Sequence, residues 1–136
     1  MKQYILDASF LLAILLEESP AAKKVFRKIS GEQKLGKAKL FAPNLVFWEV
    51  ANGLRYRVVS PQESAALYRK LDELPMEFLL LDSEQMLFAI NLAYDLEATV
   101  YDTSYHVLAK SLDGTFLTCD QKYFQKAKKL GEIELI

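Results

Sequence analysis

The sequence predicts an α/β fold: three layers, with a mostly parallel central sheet and helices on both faces. Short apolar runs alternate with longer stretches of helical periodicity from one end of the chain to the other. Such alternation needs crossover connections, which make the strands parallel and put helices on both sides of them. The 136 residues, 51% apolar and 26% charged, suit a single domain with one core over 1–136.

In chain order, residues 3–7 form an apolar run ending in Asp7, as suits a buried strand. Residues 10–18 read as a helix stopped before Pro20. Residues 21–29 read as a second helix, with Val25, Phe26 and Ile29 on one face. Two glycines and several charges mark 31–37 as a mobile loop. A short strand over 40–42 precedes Pro43, and a long helix follows over 44–58 with Asn44 as its cap. Pro61 opens the next helix, capped by Ser60 and running to about residue 74. Strands over 77–81, 99–101, 115–119 and 132–136 then alternate with helices over 83–96, 103–112 and 121–130.

Composition excludes several function classes. The longest apolar run, Phe10 to Leu16, is seven residues, where a membrane span needs about 20. Asp7 breaks the N-terminal apolar run too early for a secretory signal, so a cytoplasmic protein is expected. One cysteine, Cys119, and one histidine, His106, leave no intramolecular disulfide, no thiolate metal site and no two-histidine mechanism. Any metal ligands must therefore be oxygens. Net charge is −1, so the chain is not a general basic nucleic-acid binder. Lysines and arginines nevertheless cluster at Lys34, Lys37 and Lys39, at Arg55 and Arg57, and at Lys122, Lys126, Lys128 and Lys129. Such clusters are solvated faces or, if the fold gathers them, phosphate contacts.

The informative pattern stands at the strand ends. Asp7, Asp82, Asp102 and Asp120 each follow an apolar run. Open α/β sheets bind ligands at the carboxyl ends of their strands. Carboxylates that meet there repel unless a cation lies between them, and a hard ion such as Mg²⁺ or Mn²⁺ takes oxygen ligands. Aspartate is also a strong helix N-cap, and each of these residues precedes an expected helix. Asp82 reads as a cap, because Gln85 completes a capping box. Glu49 is a different signal. It lies in Leu45-Val46-Phe47-Trp48-Glu49-Val50-Ala51-Asn52-Gly53-Leu54, apolar nearly all round. A carboxylate on such a helix needs a partner or a metal. Asn52 can share its face and Gly53 allows close approach. Pairing with Arg55 or Lys23 at a surface edge is the alternative.

Four motifs together resemble the PIN-domain nucleases, especially the VapC-type toxins of toxin–antitoxin pairs. They are Ile5-Leu6-Asp7-Ala8-Ser9, Glu49-Val50-Ala51-Asn52, Tyr101-Asp102-Thr103-Ser104-Tyr105, and Leu117-Thr118-Cys119-Asp120-Gln121-Lys122-Tyr123-Phe124. Each alone is weak; all four in order, over essentially the whole chain, are specific. The resemblance implies a parallel sheet with acids gathered at one end. It also implies Mg²⁺ or Mn²⁺ held by Asp7, Glu49, Asp102 and Asp120, with Ser9 and Thr118 supporting them. It further implies an RNA substrate, a homodimer, and an antitoxin whose segment covers the acidic cleft. Ala8 departs from the family, where threonine is common.

The expected activity is that of a metal-dependent endoribonuclease. A bound divalent ion activates water and neutralises charge on the phosphate, and two ions about 4 Å apart would clamp both oxygens. Asp7 and Asp102 take the central ligand role, Glu49 and Asp120 complete the site, and Asn52 supports Glu49. Arg55, Arg57, Lys37 and Lys39 are candidates for holding phosphates, or plain surface charges. His106 reads as a packed or surface histidine and Cys119 as a buried inert thiol. Ser9 has no histidine placed to activate it. A receiver domain would carry an acid pair at the first strand and a lysine after the last core strand. Here Ala8 follows Asp7, and Asp120 stands where that lysine would be. An RNA-processing nuclease without an antitoxin and a non-catalytic binding module on the same fold remain as alternatives.

Overall fold

Five strands make one sheet in the computed structural model, which describes residues 1–136. They are β1 (Lys2–Leu6), β2 (Ala38–Pro43), β3 (Glu77–Leu79), β4 (Thr115–Thr118) and β5 (Ile133–Leu135). Their order is β3-β2-β1-β4-β5 and every pairing is parallel. In the register, Ile5 of β1 stands beside Phe41 of β2 and Phe116 of β4. The adjacent residues Ile5 and Leu6 are both fully buried, although successive strand side chains point to opposite faces. Both faces of the sheet are therefore covered, as parallel sheets require.

Seven helices cover it: α1 (Ala8–Leu15), α2 (Pro20–Lys34), α3 (Val46–Arg57), α4 (Pro61–Asp72), α5 (Ser83–Leu96), α6 (Val100–Ser111) and α7 (Gln121–Ala127). The chain steps from β1 outward to β2 and β3, then returns past β1 to β4 and β5. Right-handed crossovers send the helices of the outward steps to one face and those of the return to the other. Accordingly α6 lies over β1, β2 and β4 with α5 packed on it, while α1 packs with α2, α3 and α4. The strand order reverses between β1 and β4, which leaves a crevice at their carboxyl ends.

The core is aliphatic with an aromatic seam. Tyr105 of α6 stacks on Phe116 of β4 at 5.7 Å between ring centres. His106 meets the same ring edge-on. At Gly114, a Cβ would stand 2.6 Å from the Gln3 carbonyl oxygen and 2.8 Å from Ile5 Cδ1, so only glycine lets this turn pass β1. No helix is long and apolar enough to cross a membrane.

The structure corrects several local expectations. Residues 99–101 are not a strand. Thr99 caps α6, its Oγ1 accepting the Asp102 N–H at 3.1 Å, and Val100 and Tyr101 are the first helical residues. Thr-x-x-Asp is itself a helix-start signature, and it outweighs the short apolar run. The loop expected over 31–37 is mostly helix, because α2 continues to Lys34 and only the segment around Gly36, at φ 71°, turns. Asn44 does not cap α3; Leu45 holds that position and no side chain caps it. The helix over 121–130 is shorter, α7 giving way to a 3₁₀ turn at Lys128–Leu130.

Candidate active site

Asp7 follows β1 at the crevice and is both cap and site residue. Its Oδ1 accepts from the Phe10 N–H at 2.9 Å, capping α1, and from the Ser9 hydroxyl at 2.6 Å. Its Oδ2 accepts from the Thr118 hydroxyl of β4 at 2.5 Å. The two hydroxyl oxygens accept in turn: Ser9 from the Cys119 N–H at 2.9 Å, Thr118 from the Asp120 N–H at 3.0 Å. Ser9 and Thr118 own one hydroxyl proton each and both give it to Asp7. Their mutual 3.2 Å approach therefore carries no proton between them while Asp7 is ionised. The network ties the end of β1 to the end of β4. With 7% of Asp7 exposed, burial raises its pKa from 3.8 to about 6, against the three hydrogen bonds that favour the carboxylate.

Glu49 comes from α3, on the face of the sheet that α1 also covers. It sits in the first turn of α3, where a carboxylate also suits the helix dipole. Tyr105, buried on α6, donates its hydroxyl to Glu49 Oε1 at 2.6 Å. Burial raises the Glu49 pKa, Tyr105 lowers it, and the charge on Asp102 raises it again. The pairing with Arg55 or Lys23 that the sequence left open is not made. Lys23 faces Glu17, and Arg55 lies over the Tyr56 ring at 5.2 Å.

Asp102 and Asp120 line one open hollow with Thr99, Tyr123, Lys122 and Lys126, about 350 Å³ in volume. Asp102 is half-buried in the first turn of α6. Burial and the Asp120 charge raise its pKa, while Thr99 and Lys126 act the other way. Asp120 caps α7 by accepting from the Tyr123 N–H at 3.0 Å.

The four acids form an electrostatic chain: Asp7 feels Glu49, Glu49 feels Asp102, and Asp102 feels Asp120. All donors are carboxylate oxygens, the kind a hard divalent cation takes. The repulsion among them is what such an ion would relieve. As the side chains stand, no three of them close on one point tightly enough to hold an ion. The donor set fits in kind, and the three half-buried acids face hollows into which they can turn.

Other expected residues are placed variously. Ser9 and Thr118 hold Asp7 directly. Asn52 is exposed and lines a hollow with Glu49, Leu45, Trp48 and Tyr101, but does not hydrogen-bond Glu49. Asp82 is a cap only, in a reciprocal capping box with Gln85. Lys37 and Lys39 stand at the start of β2, the end of the sheet opposite the acids, and Lys39 pairs with Glu77 at 3.4 Å. Arg57 is engaged with Glu18, and Arg55 borders a separate hollow by Val59 and Pro61. Of the basic clusters in the sequence, only the one after Asp120 reaches the acids, through Lys122 and Lys126; the pairing of Tyr105 with Glu49 has no signal in the sequence. For the lysines the available signal was their spacing of two and six residues after Asp120, on the helix it caps. His106 is packed inside. Its Nε2 lies 2.7 Å from the Gly131 carbonyl and must carry the proton, so Nδ1 accepts from the Tyr123 hydroxyl at 3.0 Å. Cys119 is half-buried, and burial pushes its thiol up to about 11, which leaves it inert.

The sequence matches the family model described as the PIN domain over residues 4–130. No curated protein matches it at a significant level. Solved structures do. A protein from Pyrobaculum aerophilum is 22% identical, with a TM-score of 0.66 over 92% of this chain and 84% of that one. A toxin–antitoxin complex from Klebsiella pneumoniae is 10% identical, with a TM-score of 0.71 over 96% and 95%. VapC20 of Mycobacterium tuberculosis, described as a sarcin-ricin loop cleaving toxin, is 10% identical, with a TM-score of 0.65 over 85% and 87%. At these identities the likeness is one of fold.

Proposed function

The chain belongs to the PIN-domain family, and from that premise we propose that it is a metal-dependent endoribonuclease, the toxin of a toxin–antitoxin pair. The observation that carries this reading is the set of four carboxylates at the switch point of the sheet, where the charge of Asp120 acts on Asp102, that of Asp102 on Glu49 and that of Glu49 on Asp7. Fold neighbours described as a toxin–antitoxin complex and as a cleaving toxin support the biological role.

Asp7 and Asp102 would hold Mg²⁺ or Mn²⁺, with Glu49 and Asp120 completing the site directly or through water. When bound, such an ion lowers the pKa of water and neutralises charge on the phosphate undergoing attack. The chain's own groups do the rest. Ser9 and Thr118 fix the Asp7 carboxylate between two strands. Tyr105 holds Glu49 across the top of the sheet. Lys122 and Lys126 at the rim supply positive charge for the RNA backbone. The protein would act in the cytoplasm as a homodimer, restrained by an antitoxin over the acidic cleft.

The test is cleavage of a mixed RNA pool with Mg²⁺, with Mn²⁺, with chelator, and by Asp102→Asn. Cutting that needs the metal and is lost in the variant supports the reading. A folded protein free of antitoxin that cuts under none of these conditions would turn it to a binding module.

A further inference from the structure

Beside the acidic hollow lies a second, aromatic one. Leu45, Trp48, Glu49, Asn52 and Tyr101 line an open depression of about 540 Å³. Trp48 is 82% exposed and Tyr101 64% exposed. Glu49 belongs to this hollow and to the chain of acids, and Tyr101 is the immediate neighbour of Asp102. The two hollows are thus neighbours, with Glu49 of one close enough to feel the charge of Asp102 of the other. No lysine or arginine lines the aromatic one, so it offers a phosphate nothing. It offers flat rings and, from Asn52, an exposed carboxamide able to donate and to accept. Those are the groups that hold an unpaired nucleobase: a stacking face and an edge reader.

We propose that Trp48 and Tyr101 form a base-stacking subsite, which seats one unpaired base of the RNA while its neighbouring phosphate lies at the acids, and that Asn52 meets the edge of that base. The subsite rests on the ribonuclease reading above and adds the part of the substrate it recognises. It makes single-stranded RNA the substrate, because a base inside a helix has no free face to stack. Trp48 is a positioning residue here, acting on binding and not on the reacting bond.

Trp48 is the chain's one tryptophan, so the subsite has its own optical signal. The experiment mixes wild-type protein with short single-stranded RNA and Mg²⁺ in a stopped-flow instrument and reads tryptophan emission before cutting. A sugar–phosphate chain of equal length without bases is the control. Steady-state cleavage by Trp48→Ala and Trp48→Tyr is measured alongside, with sedimentation of each variant. Expected are quenching by the RNA and not by the baseless chain, and a KM raised about tenfold or more in Trp48→Ala with kcat within about twofold. Trp48→Tyr restores most of the affinity. Cutting without quenching, with an unchanged KM in Trp48→Ala, overturns the subsite and leaves the nuclease standing. Quenching without cutting overturns the nuclease and leaves the base site. A variant changed only in its state of association shows that the hollow seats protein and overturns the proposal.

Discussion

The hydroxyl of Tyr105 donates to the carboxylate of Glu49 at 2.6 Å, joining α6 on one face of the sheet to α3 on the other. The two residues are 56 apart in sequence. The bond orients a site carboxylate and stabilises its charged form. Tyr105→Phe removes that donor and leaves the ring packed on Phe116. The Glu49 pKa then rises further, so the acid limb of the cleavage rate profile moves to higher pH. Stability falls by about 1–2 kcal/mol. Rate measured across pH, and urea unfolding, check the two effects.

Asp7 makes the fold depend on pH. Below its ordinary value of 3.8, folded and unfolded chains both hold the proton and the fold has its full stability. As pH rises towards the folded value of about 6, the unfolded chain gives up its proton first, so stability falls; above 6 it stays low. The loss is on the order of 2–3 kcal/mol for a shift of this size. Asp7→Asn removes the charge, and Thr118 can accept from the new amide by turning its proton to Ser9. In chelator, urea unfolding should therefore show the variant more stable than wild type at pH 7.5. The gap closes towards pH 4. A gap that stays constant with pH would mean that Asp7 is not strained by ionisation.

Metal binding should follow the same repulsion. Because burial and neighbouring charge raise the pKa of Asp7, Glu49 and Asp102, protons compete with the ion, and affinity for Mn²⁺ grows from pH 5 to pH 8. Thermal unfolding should show Tm rising with Mn²⁺ concentration at pH 8, hardly at pH 5, and not at all in Asp102→Asn. Calorimetric titration at the two pH values gives the affinities directly.

The placement of basic residues separates two views of RNA binding. Lys122 lines the acidic hollow, while Lys39 stands at the far end of the sheet in a salt bridge with Glu77. Lys122→Ala should raise KM for RNA several-fold and reduce its salt dependence. Lys39→Ala should leave both unchanged, and a raised KM in that variant would mean that RNA reaches around the sheet edge.

Gly114 tests the packing that carries β4 past β1. A methyl group there meets the Gln3 carbonyl oxygen at 2.6 Å, and backbone cannot give way as a side-chain tip can. Gly114→Ala should cost about 2–3 kcal/mol in denaturant unfolding. Gly131→Ala meets no atom but must hold φ 75° with ψ −172°, a conformation only glycine adopts readily, and should cost about 1–3 kcal/mol.

Much of the site was legible in residue order alone. Asp7 and Asp120 stand after apolar strands, where period and turn chemistry announce them, and Gln85 three residues after Asp82 marks that acid as a cap. These are local signals, since a cap bonds its own helix. They also let one residue be two things, as Asp7 caps α1 while closing the crevice. Asp102 is marked both by the apolar run before it and by its motif, but it stands on a helix and not at a strand end. A strand was expected over 99–101, and Thr99 starts a helix there instead. Val100 and Tyr101 favour strand by propensity, and the helix won through a cap and through the packing of α6 over three strands.

The sequence by itself determined that this chain is a parallel α/β domain with acids at its strand ends, because periodicity and capping act within a few residues. Only the tertiary structure decided that Tyr105 holds Glu49, that Lys122 and not Lys39 borders the acids, and that Trp48 and Tyr101 share a hollow. Those relationships depend on the order of strands in the sheet, which brings together residues 56 and 111 positions apart.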